Sequence, residues 1–143
     1  MGLTPIKSIN ESLQQSSSSN ISSCHYLQLG YSNYYLEKYE KAIKSFSKII
    51  EQTTNFRNPD LASAYAFPGD SHIAIAGKKE QSLFRKLQTS SIKKHYHRAI
   101  LNLSKALQLS PSLARVYLNL GAAYSRLGNA EVVNSFETPT GLI

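Results

Sequence analysis

The histidines are the first residues to consider for chemistry, because an imidazole can act as a base or bind a metal. His95 and His97 stand two positions apart, and so do Asp70 and His72. On a helix, side chains two positions apart point about 200° away from one another, so neither pair presents two ligands on one face. A helical metal pair requires a separation of four residues. We therefore expect no metal site.

The other groups that could support catalysis are scattered. Cys24 and His25 are neighbours in the sequence and point to different faces of a helix. Of the 9 carboxylates, only that of Asp70 is close in sequence to a histidine, His72. The segment from residue 67 to 70 has one glycine, too few for a phosphate-binding loop. Because nucleophile, base and orienting group are all missing, we expect a protein that is not an enzyme and has no cofactor.

A basic segment between residues 78 and 98 offers a different chemistry. Basic residues interleaved with Tyr96 and two histidines can hold a phosphate backbone, and the formal charge of +7 agrees with such a role. A solvated helix face would show the same composition. One of two alternative functions is therefore a basic adaptor that binds nucleic acid or an acidic partner through this segment. Its candidate residues are Lys78, Lys79, Arg85, Lys86, Lys93, Lys94 and Arg98.

The first two helices are predicted from apolar residues three and four positions apart. One covers about residues 23–36 and the other about residues 39–52. Gly30 and Ala42 stand within their apolar stripes, where small side chains let two helices cross closely. The pair forms a first unit over residues 23–55.

The middle unit, residues 62–112, contains an insertion over residues 78–96 that we expect to extend the flanking helices into a protruding hairpin. Pro68 stands inside the first of these helices. A proline in a helix interior costs about 3 kcal/mol, so we expect a kink or break near Phe67. Ser90 and Ser91 are the predicted N-cap of the second helix.

The last unit, residues 114–136, begins with a helix and then lacks a second one. No polar-faced closing helix follows, which leaves two alternatives: the chain is a fragment of a longer protein, or its uncapped C-terminal end is covered by a partner, for example in an oligomer. Residues 1–22 form a serine-rich tail predicted to be disordered, and residues 137–143 form a second tail.

Two segments of the chain repeat one another. Residues 26–30 read Tyr-Leu-Gln-Leu-Gly, and residues 117–121 read Tyr-Leu-Asn-Leu-Gly. A weaker copy keeps Tyr65 and Gly69 and ends at Pro111. With Ala42 and Phe46 in the first copy, this pattern resembles the tetratricopeptide repeat over roughly residues 23–134. The resemblance implies an all-α fold, a short right-handed solenoid of antiparallel helix hairpins with a helical insertion in its middle repeat.

The resemblance also implies a function, a protein-interaction module or scaffold that binds a peptide or helix of another protein in its concave groove. Lined by the first helix of each pair, that groove would be rich in tyrosine at one end and basic at the other. Its candidate residues are Leu27, Tyr31, Tyr34, Tyr35, Asp70, Ile73, Arg115, Leu118, Ala122 and Arg126.

Composition sets the remaining expectations. The chain has 143 residues and 41% hydrophobic content, enough for one domain with a modest core. No apolar run approaches the roughly 18 residues of a membrane span, so we expect no membrane insertion. With 1 cysteine and no apolar leader, the chain is expected to be cytoplasmic.

Overall fold

A computed structural model describes the backbone of residues 23–55 and 57–137, with side chains up to residue 131. Helix α1 covers residues 23–35. It is followed by α2 (Tyr39–Gln52), α3 (Pro59–Glu80), α4 (Thr89–Leu109) and α5 (Ala114–Glu137), with a short 3-10 helix (Arg85–Gln88) before α4. All regular structure in these ranges is helical, which confirms the all-α prediction. The predicted tail at residues 1–22 lies outside the described residues, and so does the tail predicted at residues 137–143 except for Glu137, which ends α5.

The first hairpin closes through a left-handed residue. Glu37 has a φ of 59°, and its N–H donates to the carbonyl of Tyr34 at 2.9 Å. The next N–H, of Lys38, reaches back to the carbonyl of Asn33 at 2.8 Å. These bonds satisfy the carbonyls that the end of α1 leaves open, and they reverse the chain into α2.

Two glycines set how closely the helices of each hairpin approach. A Cβ built on Gly30 of α1 would lie 2.7 Å from Cζ of Phe46 in α2. A Cβ built on Gly69 of α3 would lie 2.6 Å from Cγ of Leu103 in α4. In both pairs a large side chain of the second helix fills the notch left by a glycine of the first. The two hairpins therefore pack in the same way, as expected of repeats.

Helix α3 is continuous through Pro68, so the predicted break near Phe67 is wrong, while the alternative, a kink, stays a prediction. Its start is well defined, because Asn58 Oδ1 accepts a hydrogen bond from the N–H of Asp60 at 2.9 Å and a proline occupies the first helical position. Phe67, Pro68 and Gly69 are all buried between α2 and α4. Burying one large apolar side chain contributes about 1.5–3 kcal/mol, which offsets the local penalty of the proline.

The inserted residues lengthen α3 and α4, which contain 22 and 21 residues against 14 in α2. A connection over residues 81–88 joins them, and there Leu83 and Leu87 are 99% and 85% exposed. The predicted cap at Ser90 and Ser91 is wrong. Gln88 holds the N-cap position, and α4 begins at Thr89, whose hydroxyl donates to the carbonyl of Lys86 at 3.1 Å.

Helix α5 packs against α4 through Val116, Ala123 and Leu127, which are all buried. It continues to Glu137 as one helix, so residues 129–136 extend it and form no separate second helix. Helices adjacent in sequence pack against one another from α2 to α5. This serial packing is that of a short helical solenoid.

Candidate ligand-binding groove

The first helices of the three units enclose an open cavity of about 440 Å³. Tyr34 of α1 stands on one side, and Asn119 and Arg126 of α5 stand on the other. Between them α3 presents the groove floor, which we define as Ile73, Ala74 and Gly77. The remaining lining residues are Glu37, Tyr39, Asp70, Lys78 and Gln81.

Helical spacing explains why α3 contributes most of the surface. Ile73 and Ala74 follow Asp70 by three and four positions, and Gly77 follows Ala74 and Ile73 by three and four, so the four residues share one face of the helix. A Cβ on Gly77 would lie 3.3 Å from Nη1 of Arg126, a close contact that a small shift of the flexible arginine side chain would relieve. The absent side chain thus leaves the Arg126 guanidinium room at the edge of the groove.

Asp70 links α3 to α5 beneath the groove. Its Oδ1 accepts a hydrogen bond from Asn119 Nδ2 at 2.6 Å, and its Oδ2 lies 3.3 Å from Arg115 Nη2 in an ion pair. The carboxylate is only 6% exposed. Burial raises the pKa of Asp70, while the Asn119 hydrogen bond and the Arg115 charge oppose that rise. Asp70 was predicted to bind a partner, but its carboxylate is already used inside the protein.

A cluster of aromatic rings adjoins Tyr34, the residue of α1 that lines the groove. The ring of Tyr31 lies edge-on to Phe46 and Phe67, at centroid distances of 5.5 and 4.8 Å. Tyr34 also meets the Phe67 ring edge-on, at 5.0 Å. Such contacts fix ring orientations. The structure therefore gives Tyr31 a packing role, and its predicted ligand contact is untested.

The other predicted groove residues fall in different places. Ile73 and Arg126 line the cavity, as Tyr34 does. Leu27 packs, half-buried, beside the Phe46 cluster. Tyr35 is 73% exposed, with its ring against Tyr34. The exposed side chains of Arg115, Leu118 and Ala122 do not line the cavity.

Comparison with known families decides what this arrangement is. A family model described as "Tetratricopeptide repeat" matches residues 26–55, and one described as "TPR repeat" matches residues 93–128. The chain is a tetratricopeptide-repeat protein. A comparison with curated proteins and with solved structures found no match. Helix α3, which carries Pro68, falls between the two matched segments.

The family sets the general function. Tetratricopeptide repeats generally mediate interactions between proteins, and proteins built from them are typically non-catalytic scaffolds. In the part of the chain that the structure describes, no helix is long and apolar enough to cross a membrane.

One pair of histidines in this repeat protein was missed by the sequence analysis. Nδ1 of His72 in α3 lies 2.9 Å from Nδ1 of His95 in α4. Burial lowers the pKa of His72 to about 4, helped by the charges of His95 and Arg98. Burial also lowers the pKa of His95, with Lys79 and Arg98 adding to it. Among the described residues no third histidine, cysteine or carboxylate joins the pair to form a metal-binding group.

The basic segment is distributed over several sides of the α3–α4 hairpin. Lys78 pairs with Glu37 at 3.0 Å and lies over the Tyr39 ring at 5.0 Å. Lys79 lines a cavity together with Glu37 and Tyr39. Arg85 lines a separate cavity with Arg126. Lys86, Lys94 and Arg98 are exposed, and Lys93 is half-buried. Polyanion binding through this segment stays a prediction.

Asn119 and Gly77 are two of the groove residues that sequence reasoning missed, and the others include Glu37, Tyr39, Ala74 and Gln81. Asn119 is four positions after Arg115 and three before Ala122, both of which were proposed, so helical spacing would have found it. Gly77 offered no comparable signal. Its role depends on the position of Arg126, which is set by the packing of α5 on α4.

Proposed function

We propose that this tetratricopeptide-repeat protein binds a peptide or an amphipathic helix of another protein in the groove between α1, α3 and α5. The observation that carries the proposal is the cavity of about 440 Å³ lined by all three first helices. The lining of this cavity combines polar and apolar groups, which suits a peptide, since a peptide offers both kinds of group.

The lining residues favour a ligand of mixed character. The groove floor offers a shallow apolar surface, because its side chains are small or half-buried. Tyr34 and Tyr39 add aromatic surface on one side, and tyrosine contributes contact area with little loss of conformational freedom. We therefore expect an apolar ligand side chain to lie over Ala74 and Gly77.

The charges favour an acidic group in the ligand. Asp70 is engaged by Asn119 and Arg115, and Lys78 is engaged by Glu37. Arg126 lines the groove and is exposed. Tyr96 and Glu80 lie near its guanidinium and raise its pKa, and the remaining N–H groups of the fork can pair with a carboxylate of a bound peptide. The favoured ligand therefore combines an apolar anchor with a nearby aspartate or glutamate.

Selection from a random peptide library displayed on phage tests this function. Ala74→Arg would place a long side chain in the groove, and Leu101→Arg is its matched control. Leu101 is 71% exposed on α4 and does not line the groove, so both variants add one positive charge. We expect the wild type and Leu101→Arg to enrich the same acidic-apolar peptides and Ala74→Arg to lose them. Equal enrichment by Ala74→Arg would contradict groove binding.

The basic segment is tested in the same experiment with Lys93→Glu/Lys94→Glu. These substitutions lie outside the groove, so peptide enrichment should persist. If they abolish peptide enrichment while Ala74→Arg does not, the acidic partner binds the α3–α4 hairpin. A parallel titration with single-stranded RNA at two salt concentrations would detect nucleic-acid binding by its salt dependence.

A further inference from the structure

Helix α5 carries the same kind of glycine notch as α1 and α3, but the described part of the chain leaves that notch open. Phe46 fills the notch at Gly30, and Leu103 fills the one at Gly69. A Cβ built on Gly121 would meet nothing within 4 Å, and the same holds at Gly128. Gly121 occupies the position in its repeat segment that Gly30 occupies in the first. Helix α5 thus retains a surface of the type that binds a helix elsewhere in this fold.

Two exposed tyrosines complete this surface. Tyr117, Gly121, Tyr124 and Gly128 follow one another at intervals of four, three and four residues, the spacing of a coiled-coil seam. We call these four residues the α5 seam. Tyr117 is 54% exposed and Tyr124 is 55% exposed. The α5 seam therefore alternates a large side chain with a gap.

The α5 seam is complementary to itself. Tyr124 and Gly121 are placed symmetrically about the peptide bond between Ala122 and Ala123, and so are Tyr117 and Gly128. A two-fold axis through that point would set each tyrosine of one chain opposite a glycine of the other. We propose that α5 pairs antiparallel with α5 of a second copy of this chain, tyrosine into glycine notch, to form a homodimer.

The charges agree with the same register. Ala114 and Glu131 are also symmetric about the Ala122–Ala123 bond, and Ala114 is the first residue of α5. In the dimer the exposed Glu131 carboxylate lies beside the positive N-terminal end of the second copy's helix, where an anion is stabilised. Both ends of the helix pair gain this contact by symmetry.

The dimer does not depend on the groove proposal. Asn119 and Arg126, which line the groove, lie on a different face of α5 from Tyr117 and Tyr124. Pairing through the α5 seam therefore leaves both grooves of the dimer open. Loss of peptide binding would not affect the dimer, and a monomeric protein could still bind a peptide.

Sedimentation equilibrium of the full chain over a wide concentration range tests the pairing. The wild type should approach twice its chain mass of 15.9 kDa. Gly121→Gln should raise the dissociation constant by about tenfold or more, because its side chain occupies the space that Tyr124 of the second copy requires. Ala122→Gln is the matched control, since it adds the same side chain at the next exposed position, outside the α5 seam. It should dimerise as the wild type does.

Disulfide trapping tests the register. In a Cys24→Ser background, Tyr117→Cys mixed with Gly128→Cys should give a cross-linked heterodimer. Neither variant alone should cross-link, because antiparallel copies of the same residue would be eleven positions apart, about 16 Å along the helix.

Three outcomes would overturn the proposal. A wild type that stays monomeric at every concentration would show that the chain does not form the proposed homodimer. A dimer that Gly121→Gln leaves intact would place the interface elsewhere. Cross-linking of Tyr117→Cys to itself would show a parallel arrangement. The first outcome, a monomer, is also the result expected if a helix of a different protein covers the α5 seam. Circular dichroism of each variant establishes that it is folded, which is expected because the space beside Gly121 is empty.

Discussion

His72 and His95 face one another across the α3–α4 contact, with their Nδ1 atoms 2.9 Å apart. The two rings are tilted by 36°, and their centroids are 5.2 Å apart. His72 is 7% exposed. One Nδ1 must donate and the other accept, so the pair is compatible with neutral rings and not with two imidazolium ions. Lys79, Lys94 and Arg98 surround His95 with positive charge, and Glu40 opposes them.

The histidine pair predicts acid sensitivity. The pKa of His72 is about 4 in the folded chain and 6.5 in its ordinary state, so the unfolded chain binds this proton first as the pH falls. The free energy of unfolding should therefore decrease between pH 6.5 and about 4, by about 3 kcal/mol from this residue. Urea unfolding at several pH values measures this slope.

Two matched variants distinguish the contribution of His72 to this pH dependence from that of the carboxylates, which titrate in every variant. His72→Phe keeps an aromatic ring and removes the titration, so its stability should fall less than that of the wild type over the same pH range. His97→Phe makes the same change at an exposed position of α4 and should keep the wild-type slope. Equal slopes for His72→Phe and the wild type would contradict the assignment.

Replacing glycine by alanine should change stability in opposite directions at a filled notch and at the open one. Gly69→Ala forces a Cβ to within 2.6 Å of Leu103 Cγ and 3.3 Å of the Leu103 backbone nitrogen. We expect a loss of about 1–3 kcal/mol of stability from this overpacking. Gly121→Ala meets open space and improves helix propensity, so dilute protein should gain up to about 1 kcal/mol. Thermal unfolding of the two variants checks the difference in sign, and a stabilised Gly69→Ala would show that Leu103 can move aside.

The link between Asp70 and Asn119 predicts energetic coupling between α3 and α5. Asn119→Ala removes the donor to a buried carboxylate, so we expect a loss of about 1–3 kcal/mol. With Asp70→Ala and the double variant, this substitution completes a double-mutant cycle. The double variant should lose less stability than the two single variants together. Additive losses would mean that the 2.6 Å contact contributes nothing specific to the fold.

Helix positions were largely predictable from the chain alone. The predicted second helix, about residues 39–52, agrees with α2 (Tyr39–Gln52), because Ala42, Phe46 and Ile49 repeat at helical intervals and are all buried. The break predicted at Pro68 was wrong, because local and tertiary effects oppose one another there. Pro68 lowers helix propensity, but α2 and α4 bury the residues around it and keep α3 continuous.

The candidate groove was less predictable. Tyr34, Ile73 and Arg126 were found from their repeat positions, and the structure places them on one cavity. Asp70 was assigned to the same face, but the sequence held no sign that Asn119 and Arg115 would engage its carboxylate. Pairings between distant residues depend on the rotation of one helix against another, which residue spacing within a helix does not specify.

The sequence by itself determined the family, the helical class and the glycines at which helices meet, because these follow from the periods and sizes of side chains along one chain. Only the tertiary structure decided which notches are filled. Gly30 and Gly69 are covered by Phe46 and Leu103, while Gly121 stands open despite its matching repeat position. The physical reason is that a notch is a property of one helix, whereas its filling requires a second helix at contact distance, and the described part of the chain brings none to that side of α5.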